Sequence, residues 1–189
     1  MRILLILLPF FFMGCASYNA SNLAALDPYT VRNYSEIDGV HIGCKVFTQE
    51  DCMAYLDRNV IAKGYQPIQF TFQNMTDKTY VFSSKAISIP CTNTQEVAQS
   101  VYTSTFGRVV GYSLLVLPAI VDGIKSANAN SKLNRDFHEK AREHFIIPPG
   151  SYEKTLVFVP RAHFHPVFDL SLLERETGKH KTVGLSLVK

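Results

Sequence analysis

IQFTFQNMTDKTYVF, residues 68 to 82, is the stretch of this chain that decides its fold. Three apolar residues, Ile68, Phe70 and Phe72, alternate with polar ones, and this period of two is typical of a half-buried β-strand. The segment 74–78 supplies turn residues, and the apolar residues after it predict a second strand. The stretch therefore predicts a β-hairpin in a mainly β protein.

Similar strand-like segments lie on both sides of this hairpin. They cover residues 40–47, 86–89, 152–159, 167–173 and 182–188. The last two flank the turn around Gly178, which favours a second hairpin. About seven strands interrupted by helices predict an immunoglobulin-like β-sandwich over residues 31–189. The alternative is a two-layer α+β sheet with the helices on one face.

Helical patterns occur in two places. Thr48 followed by Asp51 resembles a capping box, and apolar spacing predicts a helix from there to Gly64. The β pattern then breaks between about residues 94 and 147, where we expect a helical hairpin insertion. Its first helix runs over 95–106, and its last shows apolar or small residues at every fourth position over 129–145.

The insertion contains the most apolar stretch outside the N-terminus, residues 109–121. As a helix this stretch is about 20 Å long, whereas the hydrocarbon core of a bilayer is about 30 Å thick. It is therefore expected to pack under the sandwich, or to contact a lipid or a protein partner. The predicted contact residues are Val109, Val110, Leu114, Leu115 and Leu117.

The chain has four cysteines, of which Cys44, Cys52 and Cys91 lie within the predicted body. Cys44 ends a predicted strand and Cys52 begins a predicted helix. Pairing them would close a short loop in an oxidising compartment, so a Cys44–Cys52 disulfide is expected, with Cys91 as the competing partner.

The N-terminus has the layout of a secretory signal: Arg2, an apolar run over 3–13, then Gly14 and Cys15. The run is too short to span a bilayer, so we expect it to be cleaved. The segment 12–15, Phe-Met-Gly-Cys, resembles the lipobox of bacterial lipoproteins. This resemblance implies that residues 1–14 are a signal peptide and that Cys15 is diacylated on its sulfur and acylated, for example with palmitate, on its nitrogen. That covalent lipid is the sole cofactor expected.

Residues 15–30 are small, polar and without periodicity, and we expect them to form a lipidated tether. Fully extended, such a tether would hold the body up to about 50 Å from the membrane. Ala16 stands directly after the modified cysteine, where an aspartate favours inner-membrane retention in lipoproteins. The resemblance therefore implies the cell outer membrane, with the body in the periplasm or on the cell surface.

A second resemblance concerns the body. The lipobox, the strand running into segment 74–77, the glycine-rich apolar helical stretch, and segment 147–150 leading into strand 156–159 look like uncharacterised bacterial lipoproteins with immunoglobulin-like bodies. The resemblance covers about residues 64–187 and implies no activity.

Chemistry-bearing motifs are few. With 19 Lys and Arg against 16 Asp and Glu, and no dense basic run, the chain gives no electrostatic support for nucleic-acid binding. No nucleophile elbow, phosphate loop, zinc helix or calcium loop is present in the sequence. His163 and His165 would share a side of an extended segment, but two ligands do not make a metal site. We expect surface histidines and no metal.

These patterns favour a noncatalytic envelope lipoprotein, not an enzyme, that acts as a binding or assembly module. Its expected contacts are the membrane, through lipidated Cys15, and an envelope protein partner. The alternative is a protein that binds lipids or other amphiphiles, or contacts the membrane, through residues 109–121.

Overall fold

The computed structural model describes residues 17–27, 33–102 and 116–187. Its strands are β1 (Asn33–Ile37), β2 (Val40–Val46), β3 (Tyr65–Asn74), β4 (Tyr80–Ser83), β5 (His144–Ile147), β6 (Tyr152–Pro160), β7 (Val167–Glu174) and β8 (Lys179–Ser186). Its α-helices are α1 (Gln49–Leu56), α2 (Thr94–Ser100) and α3 (Val116–Lys140).

The strands form two antiparallel sheets of four. The first sheet has the order β1-β2-β3-β6, and the second has the order β5-β4-β7-β8. A core of buried side chains, including Ile42, Phe70, Phe82 and Leu170, fills the space between them. The predicted mainly β class is confirmed, and the arrangement is consistent with a β-sandwich.

The central strand β3 confirms the predicted strand and its alternation of apolar and polar residues, but it is buried on both faces and not half-buried, since Gln69 and Thr71 are 1% and 0% exposed. Ile68, Phe70 and Phe72 are fully buried in the core between the sheets. The predicted hairpin with the next strand is wrong, because β3 pairs with β2 and β6 whereas β4 pairs with β5 and β7. The connection after β3 therefore crosses from one sheet to the other.

Asn74 explains why this turn-rich segment makes a crossing. Its fully buried side chain donates hydrogen bonds to the carbonyl oxygens of Lys78, Ile147 and Pro148 at 2.8, 3.2 and 3.0 Å, and it accepts from Thr76. These bonds hold the end of the first sheet to the start of the second. Local turn chemistry alone does not distinguish such a corner from a hairpin.

A second core lies on the other face of the first sheet, under a layer that we call the helical layer, formed by α1, α2 and α3. Leu56, Val97, Leu133 and Phe137 from these helices pack with Phe158 of β6, and the rings of Phe137 and Phe158 stack 5.8 Å apart. Successive residues of β6 thus serve different cores. The molecule has three layers: helices, first sheet and second sheet.

Helix α1 confirms the predicted capping box. The Thr48 hydroxyl accepts from the Asp51 amide, and the Asp51 carboxylate accepts from the Thr48 amide. The helix is shorter than predicted, since it ends at Leu56 and a separate 3-10 turn, Ile61–Lys63, precedes Gly64. Gly64 has a φ of 93°, which favours glycine and ends the turn.

The helical insertion is present, but its end differs from the prediction. Ala129, Leu133 and Phe137 face the second core from α3, and the helix ends at Lys140. Phe145 lies in strand β5 of the second sheet, where it packs 5.0 Å from the ring of Phe82. The fourth-residue spacing continues past the helix by coincidence, because one apolar face of a strand also satisfies it.

Three further expectations can be compared with the structure. The hairpin around Gly178 is confirmed by the β7–β8 pairing. The segment 86–89 is not a strand, because Ala86 ends a 3-10 turn and the segment makes a single β-bridge, from Ile87 to Leu170. Strand β1 was not predicted; it joins β2 through a tight turn in which Gly39 has a φ of 87°.

Candidate functional site

The predicted contact residues of the insertion and the lipidation residue fall mostly outside the described part of the chain. Cys15, Val109, Val110, Leu114 and Leu115 lie outside it. Leu117 lies in the first turn of α3. The described residues include no helix with the length and apolar character needed to cross a bilayer.

The three described cysteines are free thiols. Cys44 belongs to the core between the sheets, whereas Cys52 belongs to the core under the helical layer. The predicted Cys44–Cys52 disulfide is thus not formed, because the two side chains lie on opposite faces of the first sheet. Burial raises the pKa of Cys52 to about 11 and that of Cys91 to about 12, so both are poor nucleophiles at neutral pH.

The two histidines considered for metal binding are exposed at the 3-10 turn Arg161–His163 and just after it. Among the described residues, no group of three or more His, Cys, Asp or Glu side chains is placed to hold a metal ion. His163 and His165 are therefore surface histidines in this structure.

The N-terminal residues 17–27, which we call the strap, are the feature that the sequence did not reveal. They contain no helix or strand, yet they lie against the body, with Tyr18 and Leu23 only 5% and 6% exposed. Both side chains join the core under the helical layer. The expected free tether is thus docked over these residues.

Polar side chains of the body fix the backbone of the strap along its length. Five of them donate to its carbonyl oxygens: Arg58 to Ser17, Lys132 to Tyr18, Lys154 to Leu23, Gln69 to Ala24, and Tyr152 to Leu26. These bonds are 2.7 to 3.2 Å long. Since the acceptors are backbone atoms, the contact depends little on the strap's sequence outside its two buried side chains.

Tyr18 is the main anchor of the strap. Its hydroxyl donates to Asp136 of α3, and the guanidinium of Arg58 lies 5.4 Å from its ring. Burial, together with the neighbouring Asp136 carboxylate, raises the pKa of the Tyr18 hydroxyl, so it remains a donor at neutral pH. Asp136 also accepts from Lys140 at 2.6 Å, which connects the strap to the end of α3.

A pocket of about 400 Å³ opens between the strap, the end of α3 and the start of β6. Its charged walls are largely paired: Lys140 with Asp136, and Arg142 with Glu153, each at 2.6 Å. Internal pairing leaves little charge for a bound ion. The pocket is therefore a gap along the contact between the strap and the body.

A second paired cluster lies where the β1–β2 turn meets β7 and β8. Glu174 is 1% exposed and lies 3.0 Å from Lys78 and 3.8 Å from Lys181, which in turn pairs with Asp38 of the β1–β2 turn. Each carboxylate thus has a lysine partner, and the cluster ties the two sheets together. The role of this cluster is therefore to stabilise the fold.

The outer face of the second sheet carries an apolar row. Val81 of β4 stands opposite both Ile146 of β5 and Leu173 of β7 in the strand register. Their chain neighbours Phe82 and Leu172 point into the core, so the row points outward. Ile146 is 45% exposed and the other two are half-buried. This row, on the layer farthest from the helices, is the best candidate for a protein contact.

No protein-family model and no curated protein sequence matches this chain.

Proposed function

We propose that this protein is a bacterial envelope lipoprotein, anchored through lipid on Cys15, whose body is a noncatalytic binding or assembly module. The observation that carries the binding role is the outward apolar row formed by Ile146, Val81 and Leu173. We also propose that the sandwich is immunoglobulin-like and that the anchor lies in the outer membrane.

The anchoring proposal is supported by the lipobox-like segment 12–15 and by Ala16 after it. The binding proposal is supported by the position of the apolar row. Sheets in binding modules use an exposed face or edge to meet a partner, and aligned aliphatic side chains favour a partner with its own apolar surface. The row lies on the second sheet, on the side of the molecule opposite the helical layer. The chain from the lipid enters at the helical layer, so the row is left free for a partner.

The test replaces one residue of the row and compares partner capture. Ile146→Arg introduces a charge at a half-exposed position, so we expect the fold to persist and the partner contact to be lost. Val167→Arg is the matched control, because Val167 is 62% exposed on the same sheet but outside the row. Native membranes would be crosslinked, extracted in mild detergent and analysed by mass spectrometry.

We expect a discrete crosslinked complex with wild-type protein and with Val167→Arg, and its loss with Ile146→Arg. Melting curves of all three proteins would verify that the fold is kept. A complex that survives Ile146→Arg unchanged would refute the assignment of the row.

A second candidate is contact with lipids or other amphiphiles through residues 109–121. One observation favours it: residues 116–121 of this stretch lie in α3, and α3 belongs to the same layer that receives the strap. An apolar segment on that layer would lie near the lipid on Cys15. This candidate predicts copurifying lipid, where the binding module predicts a copurifying protein.

A further inference from the structure

We infer that the docked strap leaves almost no free chain between Cys15 and the body. It therefore holds the helical layer directly against the lipid surface in which Cys15 is anchored. The inference rests on the proposed lipidation of Cys15 and goes beyond it, because lipidation alone is equally compatible with a body that hangs from a long tether. The occupant of the surface around the strap's start is a phospholipid bilayer.

The first step is the length of free chain. Ser17 is exposed and its carbonyl accepts from Arg58, so the chain is bound to the body from this residue onward. Two residue steps separate Ser17 from Cys15, and a fully extended chain covers about 7 Å in two steps. The acylated cysteine therefore stays about one headgroup layer from the body, where a free segment 15–30 would allow about 50 Å.

The second step is how firmly the strap is held. Tyr18 and Leu23 are both buried, and the five backbone acceptors described above lie along the whole strap. Releasing the strap would expose both side chains and leave the buried amide of Gln69 without its acceptor, the carbonyl oxygen of Ala24. Such contacts favour the docked state, so the short spacing persists.

The point where the strap begins determines which face of the body lies next to the bilayer. Ser17 leaves the body between Arg58, which follows α1, and Lys132 of α3. Lys132 of α3 is exposed, whereas Arg58 is paired with Asp57 at 3.0 Å and Arg135 with Glu139 at 3.9 Å. A lysine beside a lipid attachment point suits the phosphate groups of phospholipids. The helical layer thus faces the bilayer, and the outer face of the second sheet faces away from it.

The experiment measures distance from the membrane at two sites of the full lipidated protein. Ser131→Cys places a fluorophore on the exposed side of α3 beside Lys132, and Val167→Cys places one on the second sheet. Each protein would be reconstituted in vesicles of phosphatidylethanolamine and phosphatidylglycerol that contain a headgroup-quencher lipid. Cys44 and Cys52 are buried and Cys91 is half-buried, and the unsubstituted protein measures the labelling background of these native thiols.

We expect strong quenching at position 131 and little at position 167. A flexible insert of about 12 Gly and Ser residues between Ala16 and Ser17, which adds about 20 Å of average span, should reduce quenching at 131 to the level at 167. The same insert placed in the Gly178 turn is the matched control and should change nothing. Neither insert touches the strap's contacts, so the fold is kept.

Two failures are distinguishable. Equal quenching at both positions, or no response to the insert after Ala16, in protein whose mass includes the acyl chains, would overturn the strap inference and leave the lipoprotein proposal standing. Protein without an acyl mass on its first residue would overturn both.

Discussion

The buried thiol of Cys52 makes the stability of the fold depend on pH. It is fully buried, and burial raises the pKa of its thiol to about 11, above the value of about 8.5 for an unfolded cysteine. The folded state therefore holds the thiol proton more tightly than the unfolded state. Its contribution to stability is complete below about pH 8.5 and is lost as the pH rises towards 11.

The first residue-scale prediction follows from this difference. Between about pH 8.5 and 10.5, Cys52 should reduce the free energy of unfolding by up to about 1.4 kcal/mol per pH unit. Urea unfolding of the Cys15→Ser protein, expressed without its signal, would measure the slope against pH. Cys52→Ala should flatten that slope relative to its parent. Equal slopes in the two proteins would show that Cys52 does not titrate as its burial requires.

At the scale of elements, α3 connects three parts of the molecule. Its last turns pack in the core under the helical layer, its Asp136 binds the strap, and its first turn continues the apolar stretch 109–121. Because these parts share one helix, a disturbance at the apolar stretch can be transmitted to the strap. This makes the stretch a useful place for a single substitution.

Leu115→Asp tests whether the apolar stretch is core or contact surface. We expect it to be core, so that a buried carboxylate would destabilise the protein by about 3 kcal/mol and lower the melting temperature by roughly 6 to 12 °C. The measurement uses the unlipidated Cys15→Ser protein. Leu133→Ala, at a fully buried position of α3, supplies the reference for a genuine core loss. An unchanged melting curve together with lost liposome binding would instead favour lipid contact.

At the scale of the whole molecule, the sequence predicts best what depends on local patterns. Strand alternation in β3, the capping box of α1 and the β7–β8 hairpin all involve residues close in the chain, and all are confirmed. Local signals do not predict the structure where contacts with residues far away in the chain determine it. Asn74 makes its segment a corner between sheets, through bonds to carbonyls more than 70 residues away.

The strap shows the same limit for the candidate site. Its composition is that of a free tether, since its apolar residues show no period and its other residues are small or polar. What holds it is a set of donors from Arg58, which follows α1, and from α3, β3 and β6, and no local pattern reveals them. The apolar row of the second sheet was equally hidden, because it exists only once β4, β5 and β7 are in register.

The proposed lipid anchor on Cys15 determines where the whole molecule lies, and Cys15→Ser tests it. The lipoprotein peptidase recognises the acylated thiol, which serine cannot provide, so we expect the variant to retain residues 1–14 and to lack acyl mass. Wild-type protein should lack them, carry acyl chains on Cys15 and enter the detergent phase of a phase separation. Cys91→Ser is the matched control, because it removes a half-buried thiol from the body and should leave processing unchanged. Wild-type protein that stays in the aqueous phase, with an unmodified first residue, would refute the anchor. Intact mass spectrometry of the membrane fraction makes this comparison directly, because signal removal and acylation change the mass in opposite directions.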